Sequence, residues 1–302
     1  MLKIMPVFGT RPEAIKMAPL IQRLQEESQI YTITTITAQH REMLDQVLNF
    51  FQLKPVYDLD IMKPAQTLME ITVAVLQRLG NVIKQEKPDL ILVHGDTTTT
   101  FAASLAAFYH KIPVGHVEAG LRTYEKYTPY PEEMNRKLTG CLADLHFAPT
   151  LTAKKALLKE GVPADRIIIT GNTVIDALIQ TVKPAYTFID PNLKQLDFNH
   201  RKIILVTTHR RENWGEPMEN VFRALRAIIE EFPDVELVLP VHLNPQVQQA
   251  AQRLLGGRER VSLVTPLAYA DFVNLMARCY LVITDSGGLQ EEAPALGRPV
   301  LV

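Results

Sequence analysis

From one end of this chain to the other, short apolar runs rich in Val, Ile, Leu and Thr alternate with amphipathic stretches, and few folds accept that pattern. Parallel strands need a crossover between neighbours, usually a helix, so repeated strand and helix units predict parallel sheets covered on both faces. The runs predict strands over 2–8, 30–37, 89–94, 112–117, 145–148 and 166–170, with helices over 12–26, 41–50, 67–86, 97–109, 132–143 and 152–160. After Gly171-Asn172 a helix-like stretch leads into Lys183-Pro184-Ala185-Tyr186 and a polar passage to His200 with a linker's composition. The alternation then restarts, with strands over 202–208, 235–240, 261–264, 280–284 and 299–302 and helices over 217–232, 245–255, 268–278 and 288–296.

At 302 residues the chain exceeds the usual size of one hydrophobic core. The expectation is therefore an α/β protein of two Rossmann-like, doubly wound domains with a cleft between them, residues 1–170 and 171–302. The C-terminal domain is expected to be incomplete, because its last strand has only begun at Val302. The composition, 47% hydrophobic and 22% charged with a net charge of -1, carries no basic footprint for nucleic acid. Phosphate binding would have to be local. Cys141 and Cys279 lie far apart inside apolar periodic segments, which predicts reduced, buried thiols. No apolar run approaches the ~20 residues needed to cross a bilayer, so the expected location is the cytoplasm, with no membrane partner.

Ligands of open parallel sheets bind beyond the carboxyl ends of the strands. Two such ends are alike: Leu90-Ile91-Leu92-Val93-His94-Gly95-Asp96 and Pro113-Val114-Gly115-His116-Val117-Glu118. Strand alternation places His94 with Asp96, and His116 with Glu118. A third acid, Glu132, follows a proline-punctuated loop at a predicted helix start. Asp96 also fits a helix N-cap, and Glu132 also fits the positive end of its helix. Acids gathered at adjacent strand tips nevertheless favour chemistry, because buried carboxylates are costly to keep without a task. A His-x-Asp beside a His-x-Glu resembles metal ligands too, but no closed ligand spacing supports a metal.

The first strand turns into its helix through Gly9-Thr10-Arg11-Pro12-Glu13, with Lys16 one turn on. This is not the Gly-x-Gly-x-x-Gly of a dinucleotide site. Arg11 and Lys16 instead stand at a helix start that favours anions, or are simply solvated cations. In the C-terminal half, Thr207-Thr208-His209-Arg210-Arg211 closes a strand, and Asp285-Ser286-Gly287-Gly288-Leu289-Gln290-Glu291-Glu292 reads as a strand end, a glycine turn and a helix. Such a turn lets a diphosphate approach backbone N–H groups, while a helix carboxylate can accept from ribose hydroxyls.

Six stretches in order resemble the non-hydrolysing UDP-N-acetylglucosamine 2-epimerases, whose fold is similar to the two-domain GT-B glycosyltransferases. They are residues 9–13, 94–96, 116–123, 131–136, 208–213 and 285–294. The resemblance implies inversion at C2 of UDP-N-acetylglucosamine without NAD or metal, with Asp96, Glu118, Glu132 and His209 as catalytic groups. It also implies substrate binding by Arg11, Lys16, Phe272, Ser286, Gly287, Gly288 and Glu292. A further molecule of UDP-N-acetylglucosamine acts as activator in bacterial members, and Gln39, His40, Gln66 and His242 resemble that site; a homodimer is the family's expectation. Two departures stand out, Leu267 where many relatives carry glutamine and Ala65 at a basic or polar position. Members also continue past Val302 with an arginine and a terminal helix, so a chain ending there is expected to turn over weakly. A hydrolysing epimerase, a GT-B glycosyltransferase and an inactive UDP-sugar-binding fragment are the alternatives.

Overall fold

The computed structural model describes residues 1–39, 41–208, 210 and 213–302, and for Glu42 the backbone alone. The chain forms two compact units, Met1–Ala177 and Leu178–Val302. The first contains β1 (Leu2–Phe8), α1 (Arg11–Glu26), β2 (Ile30–Thr32), β3 (Thr35–Ile36), α2 (Arg41–Phe50), β4 (Tyr57–Asp58), α3 (Leu68–Glu86), β5 (Leu90–His94), α4 (Thr98–Tyr109), β6 (Val114–Val117), α5 (Glu132–Leu142), β7 (Leu145–Ala148), α6 (Leu151–Lys159) and β8 (Ile167–Ile169), and α7 (Thr173–Thr181) crosses into the other unit.

The strands of the first unit lie in the order β4-β3-β1-β5-β6-β7-β8, all parallel, with β2 pairing β1 ahead of β3. The strand expected over 30–37 is thus interrupted, although both pieces keep one register against β1. β4 has no counterpart among the expected strands, since two residues carry no readable alternation. The order reverses direction at β1, which has β3 on one side and β5 on the other. A crevice opens at such a switch point, beyond the ends of β1 and β5. The core beneath it joins Met5 and Val7 of β1 and Ile91 and Val93 of β5 to Val75, Leu79 and Ile83 of α3. Ala102, Ala103, Ala106 and Ala107 give α4 a small-residue face that lets it approach both the sheet and α3.

The other unit holds β9 (Lys202–Thr207), α8 (Glu216–Glu231), β10 (Val235–Pro240), α9 (Pro245–Leu255), β11 (Val261–Val264), α10 (Tyr269–Arg278), β12 (Leu281–Thr284), α11 (Leu289–Ala295) and β13 (Val300–Leu301). Its parallel order is β11-β10-β9-β12-β13, so its switch point lies between β9 and β12. The passage with a linker's composition is packed rather than free. Phe188, Leu193 and Leu196 are buried, and the buried Asp271 of α10 accepts from the Tyr186 hydroxyl at 2.7 Å and the backbone N–H groups of Ile189 and Asp190. Asn274 fastens the same passage, accepting from Lys183 N–H at 2.9 Å. The thiol expectation also needs correction for one residue: Cys279 is buried, but Cys141 is exposed on α5. Among the described residues no helix is long and apolar enough to cross a membrane.

Gly9 tests how tightly the β1 exit is built. A Cβ there would stand 2.0 Å from Thr37 Oγ1 and 2.7 Å from Thr99 Oγ1, two buried hydroxyls that bond each other at 2.9 Å. Gly9→Ala is expected to destabilise the protein by about 1–3 kcal/mol through overpacking. The urea unfolding midpoint measures this, and an unchanged midpoint would contradict the close approach.

Candidate active site

The β1–α1 turn is built around a buried acid. Thr10 caps α1, and Glu13 completes the capping box, accepting from Thr10 N–H at 2.8 Å and Gly9 N–H at 3.0 Å. The same carboxylate accepts from Thr97 Oγ1 at 2.7 Å and Thr100 Oγ1 at 3.1 Å, tying α1 to the start of α4. Burial raises the Glu13 pKa in spite of these donors. Thr97, not Asp96, caps α4, since its hydroxyl accepts from Thr100 N–H at 3.1 Å. The capping alternative for Asp96 therefore falls away.

Asp96 stands two residues past the end of β5 and is paired with the Arg136 guanidinium of α5. Neighbouring Asn135 donates from Nδ2 to the Asp96 carbonyl at 2.9 Å. Burial raises the Asp96 pKa, aided by the nearby Glu118 and opposed by Arg136 and Lys16. Glu118 follows β6 with φ +61°, a left-handed conformation that costs a non-glycine residue roughly 1–2 kcal/mol. This conformation turns it away from strand alternation. Its carboxylate meets Lys16 of α1, accepts from Asn172 Nδ2 at 3.1 Å and lies 3.8 Å from His94 Nε2. Burial works against its charge, but His94, Lys16 and Arg136 outweigh it and hold the carboxyl at about 2.

The expected partnership of His116 with Glu118 is not formed. His116 Nε2 donates to the Gly95 carbonyl at 2.8 Å, which fixes the tautomer because a carbonyl only accepts. Burial lowers its pKa to about 3, and that of His94 to about 4. Both rings are neutral near pH 7. His94 Nε2 is buried without a hydrogen-bond partner, as is Glu132 Oε2 at the start of α5.

These side chains line one cavity of about 420 Å³, within the first unit, whose wall includes Thr10, Lys16, Gln39, His94, Asp96, Glu118, Glu132 and Asn135. The volume falls in the range of small-ligand pockets, ~300–1,000 Å³. The structure thus brings Lys16, Asp96, Glu118 and Glu132 together, and Gln39 with them, held through an acceptor contact with Thr99 Oγ1 at 3.0 Å. Arg11 is the first residue of α1, half-buried. Gln66 faces its own loop, accepting from Lys63 N–H at 2.9 Å and donating to the Ile61 carbonyl at 2.8 Å. Arg136 lies in the 131–136 stretch that carries the resemblance, but the sequence assigns it no role; its position one helical step from Asn135, with Glu132 a turn earlier, was the available signal. Among the described residues no group of three His, Cys, Asp or Glu side chains is arranged to hold a metal ion.

In the C-terminal unit, Asp285 closes the switch point, accepting from Arg210 N–H at 3.0 Å and Asn213 Nδ2 at 3.1 Å. Thr207 and Thr284 join hydroxyls at 2.6 Å beneath it, and Ser286 N–H donates to Thr284 Oγ1 at 2.9 Å. Gly287 and Gly288 are exposed in the turn that follows. A Cβ on Gly288 would stand 3.3 Å from Glu292 Oε1, so the carboxylate lies directly against the turn. Phe272 is half-buried on α10 and Leu267 is buried before it. His242 is exposed after β10, its ring 6.0 Å from that of Trp214. His40 and His209 lie outside the described residues.

Two parallel-sheet α/β units of this kind place the chain in the GT-B-like class. The family profile described as UDP-N-acetylglucosamine 2-epimerase matches residues 22–302. Over 301 residues the chain is 60% identical to the UDP-N-acetylglucosamine 2-epimerase of Bacillus subtilis (strain 168), covering all of this chain and 78% of that protein. It is similar to a solved structure from Listeria monocytogenes with TM-score 0.92 and 54% identity, covering 100% of this chain and 78% of that one. It is also similar to the UDP-GlcNAc 2-epimerase of Neisseria meningitidis solved with UDP-GlcNAc bound, with TM-score 0.89, 53% identity and coverage of 100% and 82%. The chain belongs to the UDP-N-acetylglucosamine 2-epimerase family.

The two buried histidines give stability a pH dependence. Their folded pKa values, about 4 and about 3, lie below the ordinary 6.5, so the unfolded chain binds protons that the folded chain refuses. Stability is expected to fall as pH drops from 6.5 towards 4, by up to about 1.4 kcal/mol per pH unit for each histidine. Urea midpoints across that range measure it; a flat profile would mean the rings are not held neutral.

Proposed function

We propose that this chain catalyses reversible C2 epimerisation of UDP-N-acetylglucosamine to UDP-N-acetylmannosamine by elimination and re-addition of UDP. The observation that carries the mechanism is the gathering of Lys16, Asp96, Glu118 and Glu132 around one cavity at the β1/β5 switch point. A C2 proton is not acidic in the ground state, so its removal has to be coupled to loss of UDP from C1. One carboxylate takes the C2 proton as the C1–O bond breaks, the C1=C2 bond of 2-acetamidoglucal forms, and UDP leaves with the bonding pair. Another carboxyl then delivers a proton to the opposite face of C2 while a UDP oxygen re-forms the bond to C1. Asp96, Glu118 and Glu132 are the acid and base groups in this reading, and their negative charge also faces the cationic character that develops on the ring.

His209 acts at the departing diphosphate, and Arg11 and Lys16 receive substrate charge. The exposed Gly287-Gly288 turn, with Ser286, supports diphosphate binding by the C-terminal domain. Glu292 beside that turn suits the ribose hydroxyls, and Phe272 the base. Gln39, Gln66, His40 and His242 are assigned to a further UDP-N-acetylglucosamine acting as activator. The working assembly is a cytoplasmic homodimer.

The test is incubation with UDP-N-acetylglucosamine in deuterated water, with chelator and without NAD, following C2 by NMR. Deuterium gain with inversion is expected; a requirement for metal or NAD overturns the mechanism, and stoichiometric release of free N-acetylmannosamine points to hydrolysis instead. Asp96→Asn, Glu118→Gln and His209→Asn should each lower turnover by at least about 10²-fold while the far-ultraviolet circular dichroism stays unchanged. Near-normal rates in all three would displace the site.

A further inference from the structure

We propose that Arg136 is a positioning residue for the reaction, fixing the Asp96 carboxylate as an oriented anion in the cavity and, through α5, setting its place relative to Glu132. The inference rests on the functional reading above. Glu132, Asn135 and Arg136 stand at i, i+3 and i+4 of one helix, hence on one face. Glu132 reaches the cavity directly, while Asn135 holds the Asp96 backbone and Arg136 its carboxylate. One rigid helical turn therefore governs two of the four acids, Glu13, Asp96, Glu118 and Glu132, that border a single ligand space.

Arg136 is not placed for stability alone. It is 7% exposed, its Nε is buried without a hydrogen-bond partner, and its contact with the Leu121 carbonyl is a long 3.4 Å. A buried guanidinium with an idle donor is a costly way to fasten a loop. What it gains is the Asp96 pairing. That carboxylate otherwise feels Glu118, a like charge that opposes its ionisation, and Lys16 of α1, which favours it. Without Arg136, two carboxylates would share one small space and one would take up a proton.

Arg136→Met and Arg136→Lys test this by three readings: kcat and KM for UDP-N-acetylglucosamine, the pH profile of kcat, and direct titration of the Asp96 carboxyl by carbon-13 NMR in ligand-free protein. In Arg136→Met the Asp96 carboxyl is expected to titrate at higher pH, the limb of the profile that it governs to move the same way, and kcat to fall at least about 10-fold with KM little changed. Arg136→Lys keeps the charge but not the planar fork, so it should restore the titration and recover only part of kcat. An Asp96 titration unmoved in Arg136→Met overturns the inference, as does a raised KM with kcat intact, which would make Arg136 a substrate ligand. If Arg136→Met does not fold, Arg136→Lys decides: full kcat there overturns the proposal, and reduced kcat with a wild-type Asp96 titration supports it. Failure of the wild-type protein to epimerise would instead remove the functional reading and leave the Asp96 titration as an independent measurement.

Discussion

Withdrawing carboxylates from water at the end of a parallel sheet is the constraint that organises the first domain. Glu13, Glu118 and Glu133 are buried and Asp96 partly so, and a buried carboxylate keeps its charge only with donors or cations close by. Each finds a different solution. Glu13 collects four donors and knits α1 to α4; Glu133 accepts from Thr123 and Tyr124 N–H groups at 3.0 and 3.1 Å and holds the loop before α5. Glu118 relies on Lys16, and Asp96 on Arg136. The first two answers use hydroxyls and backbone and are architectural. The other two use long, flexible cations from different helices, and leave the carboxylates beside open space.

That division explains where the domain gives up stability. Glu118 occupies a left-handed conformation and His94 keeps an unpartnered nitrogen, both beside the cavity. A fold selected for stability alone would have placed glycine after β6 and an apolar residue at the β5 tip. The low pKa of Glu118 has a chemical consequence as well. A carboxylate held by Lys16 is a weaker base than a free one, because the ammonium favours its charged form.

Much of this was readable in the sequence because a parallel sheet announces itself locally. Each buried strand is a short apolar run, and its carboxyl end is marked where polarity returns, so Asp96 and Glu118 could be found by position alone. What was misread depended on geometry that no local pattern records. Alternation paired His116 with Glu118, but the left-handed turn at Glu118 carries the carboxylate across to His94 on the neighbouring strand. The passage before β9 has a linker's composition because its apolar residues Phe188, Leu193 and Leu196 follow no period. The buried acid that anchors it, Asp271, lies some 80 positions further on. Arg136 belongs to the 131–136 stretch that carries the resemblance, yet no role could be read for it for the same reason: its partner is 40 residues away, and an arginine in a helix is ordinarily a surface residue.

The two domains solve the same topological problem with different chemistry. Both sheets reverse strand order at their first strand, and both set a polar residue just past the strand across the switch point. In the N-terminal domain that residue is Asp96, whose carboxylate is met by a cation and left facing a cavity. In the C-terminal domain it is Asp285, whose carboxylate is met by the Arg210 N–H and Asn213 and so committed to holding the strand tips together. An aspartate used in that way cannot also serve as a base, but it does fix the backbone on which the exposed Gly287-Gly288 turn begins. The same fold position thus borders a cavity in one half and supplies a rigid frame in the other, and what separates them is the partner, a guanidinium from a neighbouring helix for Asp96 and a backbone N–H with a side-chain amide for Asp285.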